Sequence, residues 1–229
     1  MDQTIFGIPI AVIMIICFVP AIVVHEVSHG FMAWKLGDPT AKSQGRLSLN
    51  PLKHVDPFGT VLLPIVMAAA GGPVFGYAKP VPYNPRYFKD IRKGELLTGL
   101  AGPASNLIMG ILGALIVNLL VLPGFFSREV SIDIVMVGYF FTYINFILMF
   151  FNLIPIPPLD GSSVIAVFLP DKALRQYYSI QRYALPVLLI ILFGIPFVLS
   201  YVGINFSPIS LYLDATAGNL TGLLYGLFS

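Results

Sequence analysis

The apolar run Phe6–Leu36 contains the pentapeptide His25-Glu26-Val27-Ser28-His29. A run of this length can cross a bilayer as a helix, which needs about 20 apolar residues. Residues four apart lie on one face of a helix, so the imidazoles of His25 and His29 can bind one Zn²⁺. Glu26 is then placed to act as a general base next to the metal. The stretch therefore predicts a zinc hydrolase site inside a membrane helix.

The composition favours a membrane protein independently of this motif. Hydrophobic residues make up 57% of the 229 positions and charged residues only 10%, whereas soluble domains have roughly 25% charged residues. The net charge of +2, without a long basic tract, gives no support for nucleic-acid binding. Because Cys17 is the only cysteine, neither an intrachain disulfide nor a thiolate zinc cluster is expected. The metal ligands should therefore be histidines and carboxylates.

Hydropathy predicts an all-α polytopic membrane protein with about four to six transmembrane helices in a single domain, 1–229. The domain divides into a core, about 21–163, and C-terminal helices, 183–229. A re-entrant or β-like insert is expected after the first core helix, because proline and glycine interrupt the apolar segment Phe58–Gly76. The remaining predicted spans are Glu95–Leu122, Ile132–Phe151 and Tyr183–Val202, followed by an ambiguous apolar tail, Phe206–Phe228.

Basic residues predict the orientation in the membrane. They cluster after the first span, before the second and after the third, and only Arg128 lies between the second and third spans. The positive-inside rule makes the three clusters cytoplasmic in a multi-pass protein of a prokaryotic-type cell membrane. His25 lies eleven residues before Leu36, which places the metal roughly 10–16 Å below the membrane surface. The active site is therefore expected towards the cytoplasmic side.

A zinc hydrolase needs a third protein ligand and an open coordination position. The best candidate is Asp160, at the end of the stretch Asn152-Leu153-Ile154-Pro155-Ile156-Pro157-Pro158-Leu159-Asp160. Three prolines in four positions prevent regular helix and predict an unwound segment at the cytoplasmic end of the third span. Asp160 would then reach the depth of the two histidines. The alternative role for Asp160 is to cap a turn before Gly161.

These motifs resemble the site-2 protease family of intramembrane metalloproteases. The resemblance is carried by His25–His29 in the first span and by Asn152–Gly161 after a later one, and Gly102-Pro103-Ala104-Ser105-Asn106 is similar to a third family motif. It implies cleavage of transmembrane segments, so the expected partners are transmembrane protein substrates and the lipid bilayer. The chain is similar to a compact subgroup without a PDZ or C-terminal regulatory domain, and its oligomeric state stays open.

The resemblance also implies residue roles. One Zn²⁺ per chain would be held by His25, His29 and Asp160, with Glu26 as the catalytic base. Contacts with the substrate backbone or the developing oxyanion would come from Asn152 and Asn106.

Several alternatives stay open at this point. The chain could be a metal-binding membrane protein without proteolytic activity, such as a transporter or an inactive protease-like scaffold, or a soluble metallopeptidase. Glu26 separates hydrolysis from transport, because a transporter needs no base beside the histidines. Asn106 begins a four-residue repeat with Gly110, Ala114 and Asn118, a spacing that also suits close helix packing.

Substrate peptides must be extended to be cut, and an extended peptide can pair with a free backbone edge. The stretches Leu47–Val55 and Val74–Tyr83 are candidates for such an edge. His54 lies outside the ligand spacing and is expected in an interfacial loop.

Overall fold

The computed structural model describes residues 4–62, 65, 66, 69, 76–180, 183–204 and 206–227. A hairpin of strands β1 (Thr4–Ile5) and β2 (Ile8–Pro9) pairs antiparallel and leads directly into helix α1 (Ile10–Lys35). The remaining helices are α2 (Thr40–Ser43), α3 (Ile91–Val121), α4 (Arg128–Asn152), α5 (Gly161–Phe168), α6 (Asp171–Ile180), α7 (Ala184–Leu189), α8 (Ile195–Tyr201), α9 (Pro208–Leu213) and α10 (Asn219–Gly226).

Helices α1, α3 and α4 are each long and apolar enough to cross a membrane. Large apolar side chains on them point outward, since Ile15, Ile108 and Leu119 are 61%, 57% and 69% exposed. Lipid is the medium that such a surface requires. The predicted all-α membrane fold is confirmed, whereas the number of spans stays a prediction.

Small residues let these three helices approach closely. A Cβ on Gly110 would lie 2.5 Å from the ring of Phe146, which is completely buried in α4. Ala114, one turn further along α3, is also buried. The four-residue spacing in α3 therefore marks a packing face, as expected for membrane helices that associate by close contact.

The segment between α2 and α3 is irregular where it is described. The predicted insert Phe58–Gly76 begins with a π-helical turn, Pro57–Leu62, and residues 63, 64, 67, 68 and 70–75 lie outside the described part. A 3₁₀ turn at Pro51–His54 interrupts the first candidate edge. The described part of Val74–Tyr83 forms no strand, in keeping with prolines that cannot donate to a ladder.

The C-terminal region folds back on α4. Helices α7 and α8 are joined by a π-helical turn at Ile190–Gly194, and α9 and α10 by another at Asp214–Gly218. The hydroxyl of Tyr212 donates to the carbonyl of Phe150, 3.2 Å away, near the end of α4. Tyr183–Val202 and the described part of the predicted tail are thus mainly helical and lie close to the core, although Pro186–Tyr201 is shorter than the three long helices.

Candidate metal centre

Two histidines of α1 and an aspartate just before α5 meet at one point. His25 Nε2 lies 3.1 Å and His29 Nε2 3.3 Å from the same oxygen, Oδ2 of Asp160. The two Nε2 atoms are 3.0 Å apart. Both histidines are buried in the protein. The three residues that the sequence predicts as ligands are therefore brought together across about 130 residues of chain, as expected for a folded site.

The proton positions implied by the surroundings favour a cation at this point. Nδ1 of His25 faces Oδ1 of Asn106 at 2.6 Å, and Nδ1 of His29 faces the carbonyl of Thr98 at 2.7 Å. Each Nδ1 is placed to donate to these acceptors, so in the neutral imidazoles each Nε2 carries a lone pair. Oδ2 of Asp160 is buried and has no hydrogen-bond donor among the described residues. Two imidazole nitrogens and a carboxylate oxygen converge, and this donor set fits Zn²⁺.

Three glycines allow the ligands to approach. A Cβ on Gly102 would lie 2.4 Å from Nε2 of His29 and 2.6 Å from Nε2 of His25. A Cβ on Gly99 would lie 2.2 Å from Oγ of Ser163, and a Cβ on Gly161 would lie 2.2 Å from the carbonyl oxygen of Leu153. Real Cβ contacts are never this short, because interiors pack at van der Waals distances. Helix α3 can therefore lie directly against the imidazoles and against the turn that carries Asp160.

Two buried asparagine side chains orient the imidazole of His25 from its Nδ1 side. The Asn106 amide group donates to the carbonyl of Ala21 at 3.2 Å and to Oδ1 of Asn145 at 2.9 Å. Asn145 in turn donates to the carbonyl of Phe141 at 2.8 Å. Both N–H groups of Asn106 thus donate hydrogen bonds, and its oxygen is placed to accept one from Nδ1 of His25. Such outer hydrogen bonds fix the tautomer and ring orientation of a metal-binding histidine.

The carboxylate of Glu26 is held by main chain rather than by a side chain. The N–H of Val81, in the loop before α3, donates to Oε2 of Glu26 at 3.0 Å. The side chain of Val81 is buried, and a Cβ on Gly30 would lie 2.5 Å from its Cγ1. Because Gly30 has no Cβ, the side chain of Val81 can pack against α1 one turn after Glu26, and the loop lies close to the helix there.

A cavity of about 720 Å³ opens beside His25 and Glu26. Tyr77 and Asn152 also contribute polar side chains to its wall, and Asn106 is not among the lining residues. The C-terminal region closes one side with Leu188, Leu192, Ile209 and Leu213, and Phe18 and Ile147 line it from α1 and α4. The space next to the candidate metal centre is therefore mostly apolar.

Comparisons with known proteins agree with this geometry. The model of Peptidase family M50 matches residues 125–195. YwhC of Bacillus subtilis, whose name describes it provisionally as a zinc metalloprotease, is 38% identical over 182 residues, which cover 78% of each chain. The chain belongs to peptidase family M50. This M50 member is a zinc-dependent membrane metalloprotease, and its resemblance to the site-2 proteases is confirmed.

Other relatives extend the match. Rip2 of Mycolicibacterium smegmatis, also named provisionally as a zinc metalloprotease, is 28% identical over 215 residues, or 92% of this chain and 80% of Rip2. A zinc metalloprotease of Methanocaldococcus jannaschii is 30% identical over 172 residues, which are 75% of this chain but 38% of the relative. No solved structure matches the M50 chain.

Some residues that shape this M50 site have no role predicted from the sequence. Asn145 could have been found as a polar residue in an apolar span, which is costly unless it is bonded. Gly102 belongs to a recognised motif, but its contact with both imidazoles depends on how α3 packs. The contribution of Val81 is a backbone N–H, for which its side chain gives no signal.

Proposed function

We propose that this M50 protease is a multi-pass protein of the cell membrane that cuts peptide bonds within or near the transmembrane segments of membrane-anchored proteins, as in regulated intramembrane proteolysis. The observation that carries the proposal is the apolar cavity, which reaches His25 and Glu26. Moving an apolar segment from lipid to such a lining costs little free energy, because both surroundings are apolar. A polar peptide would lose its hydration on entering the cavity. The cavity therefore selects substrates that already lie in the membrane.

In this proposal His25, His29 and Asp160 hold the zinc ion and Glu26 is the general base. When bound, the ion polarises the scissile carbonyl and lowers the pKa of water to about 7. Glu26 takes the proton from the attacking water and passes it to the leaving amine. Its hydrogen bond to the N–H of Val81 keeps the carboxylate at the cavity wall.

The two asparagines take different parts in the proposal. Asn152 lines the cavity, and among the described residues its amide makes one hydrogen bond, to the carbonyl of Leu148 at 2.9 Å. The other N–H and the oxygen of Asn152 are suited to contact the substrate backbone. Asn106 has both N–H groups engaged, so we assign it to orienting His25.

The scissile segment must leave its helix before it can be cut, and it then needs new hydrogen-bond partners. In the loop before α3, the N–H groups of Tyr77 and Lys79 donate to the carbonyls of Gly59 and His54. Ala78 lies between them at the cavity wall, and its main chain has no partner among the described residues. Alternation of this kind is typical of an extended segment with one free edge. We propose Ala78 as a pairing point for the substrate backbone.

The orientation in the proposal rests on the end of α1. Lys35 and Lys42 lie 5.4 Å and 4.2 Å from the centre of the Trp34 ring. Cations beside an amphipathic ring are typical of a membrane interface. The excess of basic residues at the C-terminal end of α1 favours a position of that end at the cytoplasmic face. His29 is only six residues before Lys35, so the active site faces the cytoplasm.

The decisive variant is Glu26→Gln, which preserves the shape of the side chain but removes the carboxylate that would act as the base. The membrane proteome of cells that produce the wild type should be compared with that of cells that produce Glu26→Gln. We expect some transmembrane proteins to be shortened only in the cells with the wild type. We expect purified Glu26→Gln to keep one zinc per chain and to lose cleavage of those proteins. Glu129→Gln, which changes a carboxylate in the first turn of α4, serves as the control and should cleave normally.

Two results would count against the proposal. Normal cleavage by Glu26→Gln would remove Glu26 from the reaction. Shortening confined to soluble proteins would contradict the proposed substrate class, even if the enzyme is active.

A further inference from the structure

One peptide group of the loop before α3 is bonded on both sides. The N–H of Val81 donates to Oε2 of Glu26 at 3.0 Å. Nη2 of Arg46 donates to the carbonyl of Pro80 at 3.2 Å and to that of Lys79 at 2.9 Å. In a trans peptide, the carbonyl and the next N–H are coplanar and point in opposite directions. Arg46 and Glu26 therefore hold the same Pro80–Val81 peptide group from opposite sides.

The burial of Arg46 is costly and calls for a reason. Arg46 is only 9% exposed, and its Nε is buried with no partner in the part of the chain that the structure describes. No carboxylate of the described residues forms an ion pair with it. A buried cation without a counter-ion contributes little to stability, and an apolar residue of similar volume is often as good. What Arg46 gains at this position is its two hydrogen bonds, to the successive carbonyls of Lys79 and Pro80.

We propose that Arg46 is a positioning residue for Glu26, acting through the Pro80–Val81 peptide group. The inference rests on the proposed role of Glu26 as general base. If the peptide group rotated so that the N–H of Val81 left Glu26, the carbonyl of Pro80 would also leave Arg46. The guanidinium thus opposes the rotation that would release the base, and hydrogen bonds at the two ends of one peptide polarise each other.

Other contacts fix the ends of this loop but not the rotation of the peptide group itself. The N–H of Lys79 donates to the carbonyl of His54 at 2.8 Å. The N–H of Asn84 donates to Oδ2 of Asp38 at 2.6 Å, and Asp38 is completely buried. With the flanks held, the orientation between them depends on the partners of Pro80 and Val81, and one of these partners is Arg46.

The consequence for catalysis is one of geometry. A glutamate has three rotatable side-chain bonds, and without the N–H of Val81 its carboxylate would sample positions away from the attacking water. A misplacement of about 1 Å can lower the rate by about 10²-fold. Zinc binding would be largely unaffected, because Arg46 bonds none of the candidate ligands. Substrate binding should also change little, because the N–H groups of Tyr77 and Lys79 hold the chain on both sides of Ala78 without Arg46.

The test compares Arg46→Met, which removes the charge and the donors, with Arg46→Lys, which keeps both on a shorter side chain. The probe is a fluorescence-quenched, Leu- and Ala-rich peptide of about 20 residues in detergent micelles. For Arg46→Met we expect kcat to fall by about 10²-fold, with KM and zinc content near the wild-type values. Arg46→Lys should recover most of kcat. Hydrogen exchange of the Val81 N–H should become faster in Arg46→Met and return towards normal in Arg46→Lys.

Lys53→Gln is the matched control, because Lys53 also donates to a main-chain carbonyl, that of Gly45 at 3.1 Å, but not to this peptide group. Wild-type kcat in Arg46→Met would overturn the inference, as would a loss explained by lost zinc or raised KM. Should Arg46→Met fail to fold, Val81→Pro removes the N–H directly. Reduced kcat with zinc retained would then support the inference, and normal kcat would overturn it.

The outcomes separate the two proposals. Full cleavage by Glu26→Gln would end both of them. An inactive Glu26→Gln together with fully active Arg46→Met and Val81→Pro would end only the role of Arg46.

Discussion

The candidate metal ligands and the proposed catalytic base of this protease are held by different kinds of structure. The imidazoles of His25 and His29 are oriented by helix α3, through Asn106 and the carbonyl of Thr98. The carboxylate of Glu26, although it neighbours His25 on α1, is oriented by a loop through the N–H of Val81. Adjacent residues of one helix therefore depend on separate regions of the molecule.

In the proposed mechanism, this difference separates metal binding from proton transfer. Close-packed membrane helices cannot shift without losing contacts, so the helix-held part should be rigid. Loops open at lower free-energy cost than core helices, so the loop-held base is the part that a substrate or a mutation can displace. Changes in α3 should remove zinc, whereas changes around the loop should lower turnover and leave zinc in place.

The largest effect is expected for Gly102→Ala. The added Cβ would lie 2.4 Å from Nε2 of His29, and backbone on a packed helix cannot move aside. We expect loss of bound zinc and of cleavage, measured by metal analysis and by peptide turnover. Gly222→Ala in α10 is the control, because nothing lies within 4 Å of its Cβ position. Full zinc content in Gly102→Ala would contradict the tight contact between α3 and the imidazoles.

A smaller effect is expected for Asn106→Ala. Removal of a group that orients a metal-binding histidine typically lowers metal affinity by about 10–100-fold. Competition with a zinc chelator would measure this loss directly. Asn118→Ala removes a bond within the same helix, to the carbonyl of Ala114 at 2.7 Å, and should leave the affinity unchanged. Equal zinc affinity in wild type and Asn106→Ala would mean that α3 does not orient His25.

The smallest effect is expected for Asp38→Asn, which weakens the hold on the loop. Oδ2 of Asp38 accepts the N–H of Asn84, and Oδ1 accepts that of Thr40 at 2.9 Å. An amide cannot accept on both sides, so one hydrogen bond, worth about 0.5–1.5 kcal/mol, is lost. We expect kcat/KM to fall by about 2–10-fold with unchanged zinc.

Asp90→Asn is the control for this variant, since Asp90 caps α3 and asparagine caps equally well. Loss of zinc in Asp38→Asn would break the separation between the two regions, because the loop would then support the metal centre too.

The sequence predicts the parts of this protein that follow from local pattern. Hydropathy locates the three long helices, and the spacing of His25 and His29 fixes a shared helix face. The prolines before Asp160 predict the unwound segment that the structure shows between α4 and α5. Each of these features depends on residues close together in the chain.

The remaining features depend on contacts between distant residues. Asn106 faces His25 across 81 positions, and Val81 faces Glu26 across 55. Periodicity assigns Asn106 to a helix face but does not say which residue lies opposite. The backbone donor at Val81 and the buried Arg46 depend on the path of an irregular loop, which no repeating pattern encodes.

The most direct test of the account is an anomalous-diffraction measurement at the zinc edge on crystals of the zinc-loaded protein. We expect one strong peak per chain, in bonding contact with Nε2 of His25, Nε2 of His29 and a carboxylate oxygen of Asp160. A zinc peak elsewhere, or a peak on the histidines with the Asp160 side chain turned away, would contradict the account.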